Sequence, residues 1–423
     1  MTMTDVSAAP RARWLAVSSV AVGTFTIVTS EMLPVGLLTS IAATLGVSDG
    51  TAGLMMSAPG LVAAVSAPVL AITTRRLDRR VTLLGLMALL AVSNLVGAFA
   101  PNHPVMLAAR VLTGVSIGGF WAFAAGLGPR LVPERSVGRA TSIILAGVSV
   151  ASVLGVPTAT FVSSFAGWRT AFAAMGVLAL ALVALLATTL PPLPGQPRAH
   201  APEESPRESR VHAPGSPPRG APARVPESLP RATPARAPEG RLTWLSGPLT
   251  VILVLTVLIV SGHFAAYTYV RPFLEQVSHA GPALVGTALL LYGAAGVAGN
   301  FAAGALAAGN PGPVLVTLAV LMALSTAALP LIGLPLIALV VWGLGYGGVG
   351  VTLQLWIMRS GGGEMGTALF VGAFNVSIAL GSFAGGRVVD GVSISAVMWV
   401  GAALAAAGAA VAGVAGGGRA ALS

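Results

Sequence analysis

Two charged side chains, Glu31 and Arg110, lie deep within long apolar stretches of this chain; the other charges sit at the ends of those stretches or between them. An ionisable group is expensive in hydrocarbon and is by default a pathway or coupling residue. Glu31 can take up and release a proton, whereas an arginine keeps its charge and can only bias its neighbours. Burial and a nearby cation pull a carboxyl group in opposite directions. A small movement or an entering solute could therefore switch Glu31 between its protonated and charged forms. The competing use of such residues is a static ion pair that pins two helices together.

Other polar groups share these stretches. Phe120 and Trp121 follow Gly118 and Gly119. Aromatic faces stack on flat rings, although helix packing or a lipid-facing belt would use the same residues. His263, Tyr267 and Tyr269 carry polar-tipped rings that could hydrogen-bond solute hydroxyls. Tyrosines also anchor at membrane interfaces, and a histidine can serve as a packed partner or a proton relay. The amides Asn300, Gln354 and Asn375 can bond across helices. Asn375 is the preferred polar contact of the second half, because the corresponding first-half position is Gly147. Pro34 and Pro157 either kink their helices at a gate or lie near helix ends.

The elements that hold these residues are transmembrane helices. The composition is 55% hydrophobic and 9% charged, with a mean hydropathy of +0.87, against about 25% charge in ordinary soluble domains. Apolar runs predict twelve spans, at about residues 14–38, 50–72, 81–100, 104–128, 138–162, 168–190, 247–270, 282–305, 313–331, 335–357, 364–386 and 393–415. The first contains Glu31 and is followed by further spans, so it reads as an uncleaved helix and not as a signal peptide. There is no cysteine, which excludes disulfides and thiolate metal sites. No metal, cofactor or enzymatic chemistry is expected.

Every basic residue is arginine, and the net charge is +10. With the N-terminus inside, nineteen arginines fall in cytoplasmic segments and three (Arg169, Arg271 and Arg387) in outer ones. The bias predicts that both termini are cytoplasmic. Basic charge is then topological, and nucleic acid is not an expected partner. Residues 191–246 are rich in Pro, Ala, Arg and Glu, a composition that cannot bury enough surface to order itself. They are expected to form a disordered cytoplasmic linker between six-helix halves at 14–190 and 247–416, with cytoplasmic tails at 1–13 and 417–423. No GxxxxGK[ST] phosphate loop is present.

The halves also look like copies. Ala109, Gly114, Gly118 and Gly119 match Ala338, Gly343, Gly347 and Gly348 at a constant offset, in spans 4 and 10. Such spacing fits a parallel six-plus-six repeat, in which Leu339 stands where the first half has Arg110.

Twelve spans, a central linker and this repeat resemble the major facilitator superfamily. Residues 106–122, MLAARVLTGVSIGGFWA, resemble the fourth-helix motif of its twelve-span drug:proton antiporters, with Arg110 as the motif's arginine and Gly114 and Gly118 among its glycines. Residues 147–160, GVSVASVLGVPTAT, resemble the fifth-helix antiporter motif through Gly147, Gly155 and Pro157, but have Thr158 and Ala159 near its final glycine pair. Within that branch the stretches ExLPVxLLT from Glu31, GGFWA from Gly118, RLVP from Arg130 and FAAYTYVRP from Phe264 are most similar to the bacterial purine ribonucleoside efflux pumps. In the loop after span 2, Arg75-Arg76-Leu77-Asp78-Arg79-Arg80 puts arginine where the superfamily's gating motif has an acid.

The resemblance implies a monomeric transporter in the bacterial plasma (inner) membrane, taking protons and a small organic solute as partners. A purine ribonucleoside is the first choice of solute and a drug or sugar the second; a passive uniporter is the rival mechanism. It also places helices 1 and 4 together at the centre. At a rise of about 1.5 Å per residue, Glu31 and Arg110 then fall at similar depth in a slab about 30 Å thick. Direct or water-bridged pairing of the two is expected to be within reach.

Overall fold

In a computed structural model, which describes residues 13–124, 127–194 and 247–420, the chain is helical, with no strand among those residues. Twelve helices are long and apolar enough to cross a membrane: Trp14–Leu45, Asp49–Thr73, Arg79–Ala98, His103–Ala124, Glu134–Ala166, Trp168–Thr189, Pro248–Tyr267, Pro282–Ala307, Pro311–Ile332, Pro335–Arg359, Met365–Gly391 and Ile394–Ala415. They are referred to as spans 1 to 12 in chain order. Helix is what hydrocarbon demands, because it satisfies backbone groups within the segment. The architecture is the all-α, twelve-span one read from the sequence, with spans 1 and 11 running past their expected ends to Leu45 and Gly391.

Local chemistry sets the ends. Pro248, Pro282, Pro311 and Pro335 open spans 7 to 10, where a missing N–H leaves no intrahelical bond unmade. Gly46 and Gly333 close spans 1 and 9 at φ 65° and 61°, the left-handed conformation of a helix C-cap. Two spans are irregular inside. Span 5 widens to a π-helical turn over Ala151–Gly155 just before Pro157, and span 10 breaks at Gly348.

The repeat is visible as packing. Span 2 lies on span 4 as span 8 lies on span 10; spans 3 and 6 pair as do 9 and 12, and spans 1 and 5 as do 7 and 11. The matched glycines sit at these crossings. A Cβ on Gly114 or Gly118 would come within 2.7 Å of the Pro59 or Ala63 carbonyl of span 2. One on Gly343 or Gly347 would collide with the Tyr292 or Gly296 carbonyl of span 8. Overpacking costs about 1–3 kcal/mol where side chains can yield, and a backbone carbonyl yields less. Gly343→Val is therefore expected to lose most of its monodisperse yield in detergent. Gly350→Val should melt with the wild type, since a Cβ there meets open space.

The halves meet along spans 2 and 11 and spans 5 and 8, a pseudo-symmetric pair of seams, and where span 1 touches the helix Val270–Gln276 that follows span 7. Among the described residues, the hydrogen bonds between the halves cluster at one face, the one carrying Asp49. There the Asp390 carboxylate accepts the Gly50 N–H at 3.0 Å and the Ser48 hydroxyl at 2.7 Å. Gln276 donates to Asp49 at 2.9 Å. Arg271 donates to the Gly36 carbonyl and, at 3.1 Å, to the Ser40 hydroxyl.

At the opposite face, which carries Arg79, the hydrogen bonds among the described residues stay within each half, Arg359 donating to the Ala308 and Gly309 carbonyls in the second. Leu193 donates its N–H to Asp78 at 2.9 Å and accepts the Arg79 N–H at 2.8 Å, and Arg130 donates to the Pro194 carbonyl at 3.2 Å. Residues 191–194, read as the start of the linker, are thus docked on the helices. The rest of that segment, 195–246, and the tails 1–12 and 421–423 lie outside the described residues.

Candidate functional site

Arg110 is 1% exposed and gives its donors to backbone. Its Nε donates to the Met55 carbonyl at 2.9 Å, and its two terminal nitrogens donate to the Ser30 and Glu31 carbonyls at 2.8 Å each. The choice of acceptors follows from two prolines inside helices, Pro34 in span 1 and Pro59 in span 2. A helical proline has no N–H for the carbonyl four residues back, which is Ser30 for Pro34 and Met55 for Pro59. Arg110 supplies both missing donors, and its planar fork holds spans 1, 2 and 4 at one point. Around it, Asn94 donates to the Ser30 hydroxyl at 3.0 Å, and the Ser93 hydroxyl donates to the Ala109 carbonyl at 2.6 Å. Asn94 was not among the residues singled out in the sequence, although an amide in mid-span is a legible signal.

Glu31 is buried, at 7% exposure. Arg110 holds its carbonyl, whereas its carboxylate makes no ion pair; the pair among the described residues is Arg271–Glu275, at 2.7 Å. Arg110 therefore acts on the Glu31 carboxylate by proximity and through the backbone, not as a bonded counter-ion. The carboxylate lies within electrostatic reach of Arg110 in the first half and of Tyr346 in the second.

Tyr346 belongs to an aromatic cluster drawn from spans 7, 8 and 10. It lies face to face with His263, with centroids 3.4 Å apart and planes 6° off parallel. Tyr267 stacks near His263 at 4.9 Å and on Tyr292 at 4.6 Å. Trp342 meets His263 edge-on at 5.4 Å, and the Tyr292 hydroxyl approaches His263 Nε2 at 3.4 Å. The structure thus brings His263 and Tyr267 together and adds Tyr292, Trp342 and Tyr346. The available signal was rarity: the chain has four tyrosines, all in the second half. Interfacial anchoring does not describe Tyr267 or Tyr269, which are 7% and 0% exposed; the Tyr269 hydroxyl donates to the Ser382 carbonyl at 2.8 Å.

The remaining sequence candidates are dispersed. Phe120 is 1% exposed in the first-half core, its ring beside Gly23 and edge-on to half-buried Trp121 at 6.0 Å. Gln354 donates to the Thr367 hydroxyl at 3.0 Å. Asn375 donates to its own helix at the Val371 carbonyl, 2.9 Å away, while its backbone faces Gly60 across the seam between halves. Gly147 and Gly155 let span 5 cross span 1 closely at Ala21 and Thr29. Asp78 caps span 3 by accepting the Arg80 N–H at 2.7 Å, Arg79 lies over the Phe123 ring at 4.4 Å, and Arg80 donates to the Ala187 carbonyl. These loop residues reach first-half partners.

Twelve spans in two six-helix repeats make this a multi-pass membrane protein with the architecture of a secondary transporter. The chain matches the Major Facilitator Superfamily over residues 20–371 and belongs to that family. It is 33% identical over 92% of its length to the Pseudomonas aeruginosa protein named transcription regulatory protein OpdE, covering 91% of that protein. It is 30% identical to the Escherichia coli inner membrane transport protein YdhP, over 92% of each chain. Among solved structures it resembles a bacterial homolog of the human lysosomal transporter Spinster, in its inward-facing, unoccupied form. That likeness has a TM-score of 0.67 at 15% identity and covers 96% of this chain and 95% of that one. At that identity the likeness is one of fold.

Proposed function

We propose that this protein is a proton-coupled exporter that moves a small organic solute, a purine ribonucleoside first among them, by alternating access. The observation that carries the reading is the Glu31 carboxylate, buried at the centre without an ion-pair partner, while the adjacent arginine is committed to three carbonyls. A carboxyl group so placed can bind and release a proton without breaking the helix packing around it. The arginine bias supports cytoplasmic termini, which makes the Asp49 face the outer one. Cross-half bonding at that face then corresponds to a transporter closed outside, and rocking of the halves would open it. The aromatic cluster suits a ring-bearing solute, which keeps a planar drug as the alternative cargo.

The direct test is uptake of labelled inosine into inverted membrane vesicles with and without an acid interior. ΔpH-dependent accumulation supports the proposal. Uptake indifferent to ΔpH would make the protein a uniporter, and no uptake would discard the nucleoside.

The closure makes a second prediction. Asp390→Ala removes the acceptor of two cross-half bonds; hydrogen bonds of this kind contribute about 1 kcal/mol each, so the outward-open population should rise about tenfold or more. The chain has no cysteine. A single Ala379→Cys, at the seam beside Gly60, should then react faster with an impermeant maleimide added outside. An unchanged rate would remove Asp390 from the gate.

A further inference from the structure

The aromatic cluster contains two polar atoms that the protein does not satisfy. His263 Nδ1 and Trp342 Nε1 are buried without a hydrogen-bond partner, on residues 2% and 0% exposed. Buried polar groups in native proteins are almost always paired, so two orphans in neighbouring rings call for a partner from outside the chain. The tryptophan atom can only donate, and the histidine atom donates or accepts according to tautomer. The geometry of that partner is already displayed. Tyr346 lies on His263 at the separation and attitude of a stacked aromatic ring, and it is the half-buried member of the group. It also sits between Gly345 and Gly347, two residues before the break in span 10 at Gly348.

We propose that His263 and Trp342 form the seat for a planar, nitrogen-containing aromatic ring of the transported solute, and that Tyr346 is the ring this solute displaces. The incoming ring stacks on His263 and accepts the Trp342 N–H through a ring nitrogen or an exocyclic oxygen, while a polar substituent that reaches beyond the stacked ring into the imidazole plane pairs with His263 Nδ1. The proposal rests on the solute-export reading above and adds which part of the solute is recognised and by what. A sugar has no planar acceptor ring and would not use this seat.

The test is photolabelling of the full-length protein in nanodiscs with 8-azidoadenosine and, separately, with azidoethidium, the adducts being mapped by mass spectrometry. Adenosine adducts on His263, Trp342 or Tyr346 that excess inosine displaces are the expected result. Displaceable adducts there from ethidium alone would keep the seat and overturn the nucleoside reading. Adducts from both probes confined to other spans, or none from either, would overturn the seat itself. A second measurement needs only a conservative change. Trp342→Phe keeps a ring and removes the N–H, and should weaken binding of the adenosine probe, which carries acceptor ring nitrogens, by about fivefold or more. Wild-type affinity in a variant that melts normally would also overturn the proposal.

Discussion

Replacing Glu31 by glutamine is expected to abolish accumulation driven by a proton gradient while sparing exchange of labelled for unlabelled solute. Glutamine preserves the size and hydrogen-bonding capacity of the protonated acid, so the halves can still rock with solute aboard. It cannot release a proton, so the gradient has nothing to act upon. For one proton per solute, a ΔpH of about one unit supports about tenfold accumulation, since about 1.4 kcal/mol corresponds to a factor of ten. The variant should fall to about onefold, an effect as large as transport itself. Accumulation at the wild-type level would move proton coupling to another group. Loss of exchange together with accumulation would make Glu31 a structural residue.

Arg110 carries the second large effect, and it falls on assembly instead of coupling. Arg110→Met should strip donors from the Ser30, Glu31 and Met55 carbonyls, two of which lack a helical partner because of Pro34 and Pro59. Each buried unsatisfied group costs about 1–3 kcal/mol, and the sum is a large part of an ordinary domain's stability of about 5–15 kcal/mol. The expected outcome is little folded protein. Lysine should rescue poorly, because one ammonium cannot reproduce a planar fork. The decisive variant adds Pro34→Ala and Pro59→Ala to Arg110→Met, restoring backbone N–H groups to Ser30 and Met55. It should recover much of the yield and melting temperature. If the triple variant is no better than Arg110→Met, the prolines do not explain the arginine.

These two residues also show how far a sequence reading reaches. Their isolation in apolar sequence made Glu31 and Arg110 visible at once, because the cost of charge in hydrocarbon depends on position along the chain. Their relation was not visible: reading them as a possible bonded pair gave way to an arginine bound to carbonyls. The information was present in Pro34 and Pro59, each four residues after an acceptor, but only once spans 1, 2 and 4 are brought together does one guanidinium reach both. Phe120 and His263 make the same point from opposite sides. Each is a ring in mid-span, yet one faces the first-half core and the other joins a cluster from three helices.

What is written along the membrane normal is legible in the chain of residues. Hydropathy sets the number of spans, the matched glycines at Gly114, Gly118, Gly343 and Gly347 mark the repeat, and the rare charges Glu31 and Arg110 fall at a common depth in the outer half. Tertiary structure alone decided what lies around each helix axis. In soluble proteins an apolar stripe reveals the buried face of a helix, but these spans are apolar all round, because lipid and protein interior demand the same side chains. Rotation is instead set by close backbone crossings, such as Gly343 on Tyr292 and Gly147 on Ala21, and by Arg110 reaching two proline-freed carbonyls. Those contacts bring His263, Tyr292, Trp342 and Tyr346 from three spans into one aromatic cluster.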